Sequence, residues 1–284
     1  SQITITSARV DRTVLGLIVG VALGVAGALI QALTRNPLAD PGILGVNAGA
    51  AFAVVVGVAA FGLTRTTEFV PFALVGAIIA GIVVYLVASG GRAAPDPVRL
   101  TLVGIALAAV LSGISQTLTL IDEETFNRMR FWLVGTITDR PTEAAASILP
   151  FVLVGLVLTL TVARPLNALA LGEDLARPLG ARLGLTRVLT FAAVTLLCGA
   201  ATAAAGPIAF IGLMVPHAVR WITGPDWRWI LAFTVVLAPA LLLVADVLGR
   251  VIVLPAELPV GIVTALIGAP VLIVLVRRRR AAGL

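Results

Sequence analysis

The chemistry open to this chain is that of arginine and carboxylate, with little else. Its 20 basic residues are all arginine, set against 14 acids, one histidine and one cysteine. A guanidinium is permanently charged and forks onto both oxygens of a carboxylate, so arginines can grip acidic groups. They cannot build a Walker A loop, because its phosphate-binding lysine is missing throughout. Any use of ATP must therefore rest on another chain. His217 stands alone, and a metal site needs several convergent ligands, so no metal or cofactor is expected here. Cys198 has no second cysteine to pair with. Paired mid-span acids, a histidine cluster and a Ser–His pair are all lacking, which argues against a membrane enzyme.

Local patterns give these residues places. Arg9 and Arg12 precede an apolar run and suit anchoring at a membrane interface. Asp246 lies one helical turn before Arg250 and can pair with it. Pro37 and Pro41 forbid a continuous helix, while Asn36 and Asp40 can cap the helix ends beside them. Asp122, Glu123 and Glu124 read as capping or solvating a loop before the amphipathic stretch Phe126–Leu133. Glu173 and Asp174 suit the first turn of a short helix, opposite its dipole, and Pro178 breaks that run. The segment 169–184 is longer than a plain connection needs. Trp221, Trp227 and Trp229 read as interfacial belt aromatics.

The elements that position these groups are membrane helices. The chain is 60% hydrophobic and 12% charged over 284 residues, too apolar for a soluble domain. Runs of about 20 apolar residues recur, each enough to cross a bilayer as a helix. Nine candidate spans are read: Thr13–Leu33, Gly42–Gly62, Phe69–Ala88, Leu100–Leu120, Ala144–Val162, Val188–Ala205, a short and broken Pro207–Ile222, Trp229–Leu248 and Pro259–Val276. Placing Arg277–Arg280 in the cytoplasm leaves thirteen arginines and five acids inside, against seven and nine outside. The positive-inside rule selects that orientation. Ser1 then lies outside, and a further span is expected upstream of it. Arginines scattered among spans do not form a nucleic-acid-binding face. Gly16, Gly20, Gly24 and Gly27 form a small-residue ridge on the first span, which predicts close helix packing.

The string Asn36-Pro37-Leu38-Ala39-Asp40-Pro41, with Leu44-Gly45 and Gly49-Ala50, resembles the signature of FecCD-type permeases. These are the membrane subunits of ABC importers for iron-siderophores, haem and vitamin B12. The likeness continues through Leu102–Leu107, Ala168–Asp174, Gly206–His217, Asp246, Arg250, Glu257–Gly261 and Gly268–Pro270. It implies an all-α, polytopic fold of ten helices, nine of them here, in one permease domain over 1–284. It implies a cytoplasmic gate at Asn36, Pro37 and Leu38, faced by Pro97 and Val98, although Pro95-Asp96-Pro97 replaces the small hydroxyl residues common there. It implies that 169–184 couples to the ATPase through Leu171, Gly172, Glu173, Asp174, Ala176, Arg177, Leu179 and Gly180. Arg9, Arg12 and Arg250 are implied to dock a periplasmic or lipid-anchored substrate-binding protein, with Asp11 standing where a proline is usual.

The expected partners are ABC ATPase subunits carrying ATP and Mg, that binding protein, a second permease copy or paralogue, and membrane lipid. The expected location is the bacterial inner membrane. Ferric siderophore is the favoured cargo, with haem or vitamin B12 as alternatives. An ion-gradient-driven transporter is the rival class. It would place ionisable groups at the bilayer midplane, whereas the charges here gather at span ends.

Overall fold

The computed structural model describes residues 2–91, 96–170, 183–253 and 255–281. Among them the chain is all α-helical: α1 (Gln2–Thr34), a 3₁₀ turn (Pro41–Leu44), α2 (Val46–Phe61), α3 (Thr66–Ser89), α4 (Pro97–Ile121), α5 (Glu123–Trp132), α6 (Thr142–Ala170), α7 (Leu183–Ala205), α8 (Ile211–Thr223), α9 (Trp227–Ile252) and α10 (Val260–Ala281). Six of these are long and apolar enough to cross a membrane: α1, α3, α4, α6, α7 and α9. This is a polytopic membrane protein. The other three expected spans fall on helices that are shorter: α2, α8 and the apolar part of α10.

Two of the short helices start later than the hydropathy pattern predicts, for local reasons. Pro41 opens a 3₁₀ turn capped by Asp40, whose Oδ1 accepts from Gly42 N at 2.8 Å. Gly45 then takes a left-handed conformation (φ 73°), so α2 begins only at Val46. Residues 206–210 run non-helically between α7 and α8, with Phe210 itself left-handed (φ 71°).

Helix α1 is the axis of the bundle. It packs on α9, α7, α6 and α8, and 72% of its apolar window is buried. The glycine ridge makes this possible. A Cβ on Gly20 would lie 2.4 Å from Pro239 Cα, and one on Gly24 would lie 2.3 Å from Ala238 Cβ. At Gly27 the obstacle is the backbone of Gly212 at the start of α8. Small residues let backbones approach this closely where lipid offers no hydrophobic drive for association. Gly16 meets Leu243, so the contacts step antiparallel along α9. At the far side, α4 is the barest span, with 11% of its window buried.

A three-way backbone stitch closes the end of the bundle that carries Arg12. Thr136 N donates to Ala205 O at 2.7 Å, and Gly261 N donates to Gly135 O at 3.0 Å. The segment after α5, the break after α7 and the start of α10 are thereby joined. A Cβ at Gly206 would lie 2.1 Å from Trp132 O, and one at Gly261 would lie 2.0 Å from Val134 O.

Candidate functional site

Charge gathers at the two ends of the bundle. At the Arg12 end, α1 and α9 run side by side, which brings two of the three expected docking residues, Arg12 and Arg250, onto one acid. Arg12 Nε and Nη2 donate to Asp246 Oδ1 at 2.9 and 2.6 Å, and its Nη1 donates to Glu257 Oε2 at 2.7 Å. Arg250 Nη2 lies 3.1 Å from Asp246 Oδ2, as an i,i+4 pair. Asp246 is 1% exposed. A charge this deep persists only where opposite charge and hydrogen bonds replace its water. Arg9 is exposed on the first turns of α1.

A cleft of about 1090 Å³ opens at this end, and Arg9, Arg12, Arg128, Arg140 and Arg250 all line it. Asp11, Asp139 and Glu257 are the acids on its wall, so arginine predominates there. Phe69, Phe131 and Trp132 add aromatic surface. Arg128 reaches from α5 to the carbonyl of Leu63 at 2.6 Å and pairs with Glu124. Burial holds Arg140 down to about 10, against the pull of Asp139. The acids before α5 behave as capping groups: Asp122 accepts from the backbone N and the hydroxyl of Thr125. Those hydrogen bonds hold its carboxyl below the ordinary aspartate range.

At the opposite end, Asn36 forms an Asx turn, with its Oδ1 accepting from Leu38 N at 3.0 Å. Pro37 is buried and Leu38 half-buried. Asp40 sits in the same turn, and burial raises its carboxyl above the usual range against the lowering bond from Gly42. The 3₁₀ turn that follows lies on α4, where a Cβ at Gly104 would meet Ile43 O at 2.1 Å. Asp96 caps α4 by accepting from Val98 N at 2.7 Å, with Pro97 in the first turn and Val98 exposed. The Asn36 turn and the Pro97 turn thus sit at the same end, linked through Ile43 and Gly104.

The segment expected to meet an ATPase leaves α6 at this end. Leu171, Gly172, Glu173, Asp174, Ala176, Arg177, Leu179 and Gly180 lie outside the described residues. The helix leading into it is tied down. Asn167 Nδ2 donates to Asp226 Oδ1 at 2.7 Å, and Trp227 N donates to Asn167 Oδ1 at 2.9 Å. Asp226 also caps α9 through Arg228 N. Its bond from Asn167 holds the Asp226 carboxyl below the ordinary range.

Some of this was visible in sequence and some was not. The Asp246–Arg250 pair follows from helical spacing. The Arg12–Asp246 bond joins residues 234 apart and needs the helix order to be known. Arg128 and Arg140 carried no signal beyond their charge. Trp227 departs from the belt expectation: it is 6% exposed beneath Arg220, whose guanidinium lies 4.8 Å from its ring centroid, whereas Trp221 and Trp229 are exposed. Asn47 was also missed. Its Oδ1 accepts from Thr202 Oγ1 at 2.8 Å and from Cys198 Sγ at 3.2 Å, inside the bundle. Among the described residues, no three His, Cys, Asp or Glu converge as metal ligands.

Comparison with known proteins agrees over nearly the whole chain. The model of the FecCD transport family matches residues 1–278. The ferric enterobactin transport system permease protein FepD of Escherichia coli is 50% identical over 279 residues, covering 98% of this chain and 83% of that protein. The siderophore transport system permease protein YfiZ of Bacillus subtilis is 40% identical, with coverage of 98% and 83%. A solved metal-chelate type ABC transporter in an inward-facing conformation superposes with a TM-score of 0.86 at 28% identity, covering 95% of this chain and 86% of that one.

Proposed function

This chain belongs to the FecCD transport family, and from that premise we propose that it is the membrane-spanning permease of an ABC importer for ferric siderophores. It hydrolyses no ATP itself, since in this family that activity resides in separate ATPase partners. The observation that carries the cargo assignment is the 50% identity, across 98% of the chain, to a ferric enterobactin permease.

The mechanism assigns a task to each end. The Asn36 end faces the cytoplasm of a bacterium whose inner membrane the chain crosses, in nine spans of a ten-helix family fold. ATP and Mg on the ATPases close those subunits against the segment 169–184. Asn167 and Asp226 brace the root of that segment against α9. The turn of Asn36, Pro37 and Leu38, with Pro97 and Val98, narrows the cytoplasmic mouth when the pathway is closed. The Arg12 end faces the binding protein, which offers carboxylates to Arg9, Arg12 and Arg250. Arg12 and Arg250 are pre-aimed by Asp246, so docking orders few side chains. A second copy or paralogue covers α4, whose exposed face mixes Leu102 and Ile105 with Ser112 and Gln116.

Reconstitution tests this reading. The chain, its ATPase and its binding protein are placed in liposomes with ferric catecholate siderophore, haem or vitamin B12 as cargo. ATP-dependent uptake of the siderophore, requiring the binding protein, is the expected result. Uptake by the chain alone on a proton or sodium gradient would refute it. So would labelling that places residues 169–184 outside.

A further inference from the structure

We propose that Glu257 is a resident stand-in for a carboxylate of the docking protein, and that the arriving acid displaces it from Arg12. This rests on the docking face assigned above. Arg12 offers three donors to acids, and they are not equivalent. Nε and Nη2 both close on Oδ1 of Asp246, whose side chain is 2% exposed. Those two bonds fix the plane of the guanidinium from inside the protein. Nη1 donates instead to Glu257, whose side chain is 43% exposed. Ion pairs that open to water are weak and salt-screened, whereas a buried pair is costly to break. Arg12 therefore has two permanent bonds and one labile one.

A partner's carboxylate can take the labile position at little net cost, because one exposed ion pair replaces another. The cleft wall selects an acid for this exchange: five arginines line it against three acids. The fork of Arg12 is already held in place, so the newcomer need not order it. Displacement also has a consequence inside the fold. Glu257 belongs to the short link between α9 and α10, and Leu258 N in that link donates to Gly249 O at 3.0 Å. The Arg12–Glu257 bond joins α1 to the residues just before α10. Releasing it removes one tether from the entry of α10, so docking is felt by a helix that the partner need not touch.

The test uses the permease–ATPase complex in lipid nanodiscs and its own binding protein, with affinity measured at low salt. Glu257→Gln leaves Nη1 only a neutral amide acceptor, which an arriving carboxylate displaces more readily, and should tighten binding about fivefold, the scale of one exposed ion pair. Asp11→Asn removes the same charge from the same cleft wall but takes no bond from Arg12, and should tighten it less than twofold. Equal tightening by both would reduce the effect to a general field and overturn the exchange. Unchanged or weakened binding in Glu257→Gln would overturn it too. Arg250→Glu separates the two levels of the argument. Unaltered affinity there refutes the docking face itself. Weakened affinity there, without tightening in Glu257→Gln, refutes only the exchange.

Discussion

Replacing Gly27 by alanine should damage this protein far more than replacing Gly16, although both lie on one ridge of one helix. A Cβ at Gly27 would lie 1.9 Å from the carbonyl oxygen of Gly212 and 2.3 Å from its carbonyl carbon. Carbon and carbonyl oxygen tolerate about 3.3 Å, so α1 and α8 would have to part by about 1.4 Å. Backbone stands on both sides, and no side chain can rotate away. Parting would also stretch the bonds from Gln31 Nε2 to the carbonyls of Gly212 and Leu213, now 3.3 and 3.1 Å. Overpacking costs about 1–3 kcal/mol, and each weakened bond up to about 1 kcal/mol. Alanine's better helix propensity returns about 1 kcal/mol. From the middle of each range the net loss is about 2 kcal/mol, or a fall in Tm of about 4–8 °C. A Cβ at Gly16 meets Leu243 Cδ2 at 2.6 Å and Ile137 Cδ1 at 3.2 Å, both ends of side chains that can swing aside. Propensity then offsets strain, and Tm should stay within about 3 °C of the parent. Tryptophan-fluorescence melting of the purified complex in detergent measures both variants. Equal melting temperatures would refute the claim that α1 and α8 touch backbone to backbone.

Other substitutions test other parts of the molecule. Asn167→Ala removes the two bonds that brace α6 against α9; uptake per ATP hydrolysed should fall several-fold in liposomes while hydrolysis persists, and an unchanged ratio would remove the bracing role. Alanine at Asn36 and Leu38 together should raise passive leakage of cargo or alter its transport with the ATPase still assembled; no change in either discards the gate. Asp40→Asn keeps an oxygen for Gly42 N but removes a carboxyl whose folded-state pKa is raised by burial. A raised group contributes its stability below the unfolded value, near 3.9, and loses it as pH rises through the folded value. The gain in Tm of this variant over the parent should therefore widen as pH rises above about 3.9 and level off once the folded value is passed; a gap that stays the same from below about 3.9 upward would contradict the raised carboxyl.

The parts legible in sequence were those fixed by short spacing. The ridge of α1 could be read because glycines four apart must share a face, and a helix in lipid has few other uses for such a face. That the short span Pro207–Ile222 is broken was visible, although not that α8 starts only at Ile211. The later start of α2 was not, because it depends on Gly45 turning left-handed after the 3₁₀ turn. Contacts between distant residues were the least legible. Asn167 and Asp226 are 59 apart, and an amide beside an acid means nothing until α6 and α9 are known to end together. Trp227 was misplaced because composition puts tryptophan at interfaces, whereas its position at the start of α9 turns it under Arg220. The cleft was invisible for the same reason, since α1, α3, α5, α9 and three connecting segments each contribute to its wall.

The stitch at the Arg12 end limits how such a protein can drift. At Gly135, Gly206 and Gly261 a single methyl group would strike a carbonyl of a neighbouring segment at 2.4, 2.1 and 2.0 Å. No one-step replacement relieves the crowding, because each obstacle is main chain from a segment far in sequence from the glycine it crowds. A saturation library over these three codons should return glycine at all of them. Cargo preference must then diversify through side chains hung around this knot, leaving the knot unaltered.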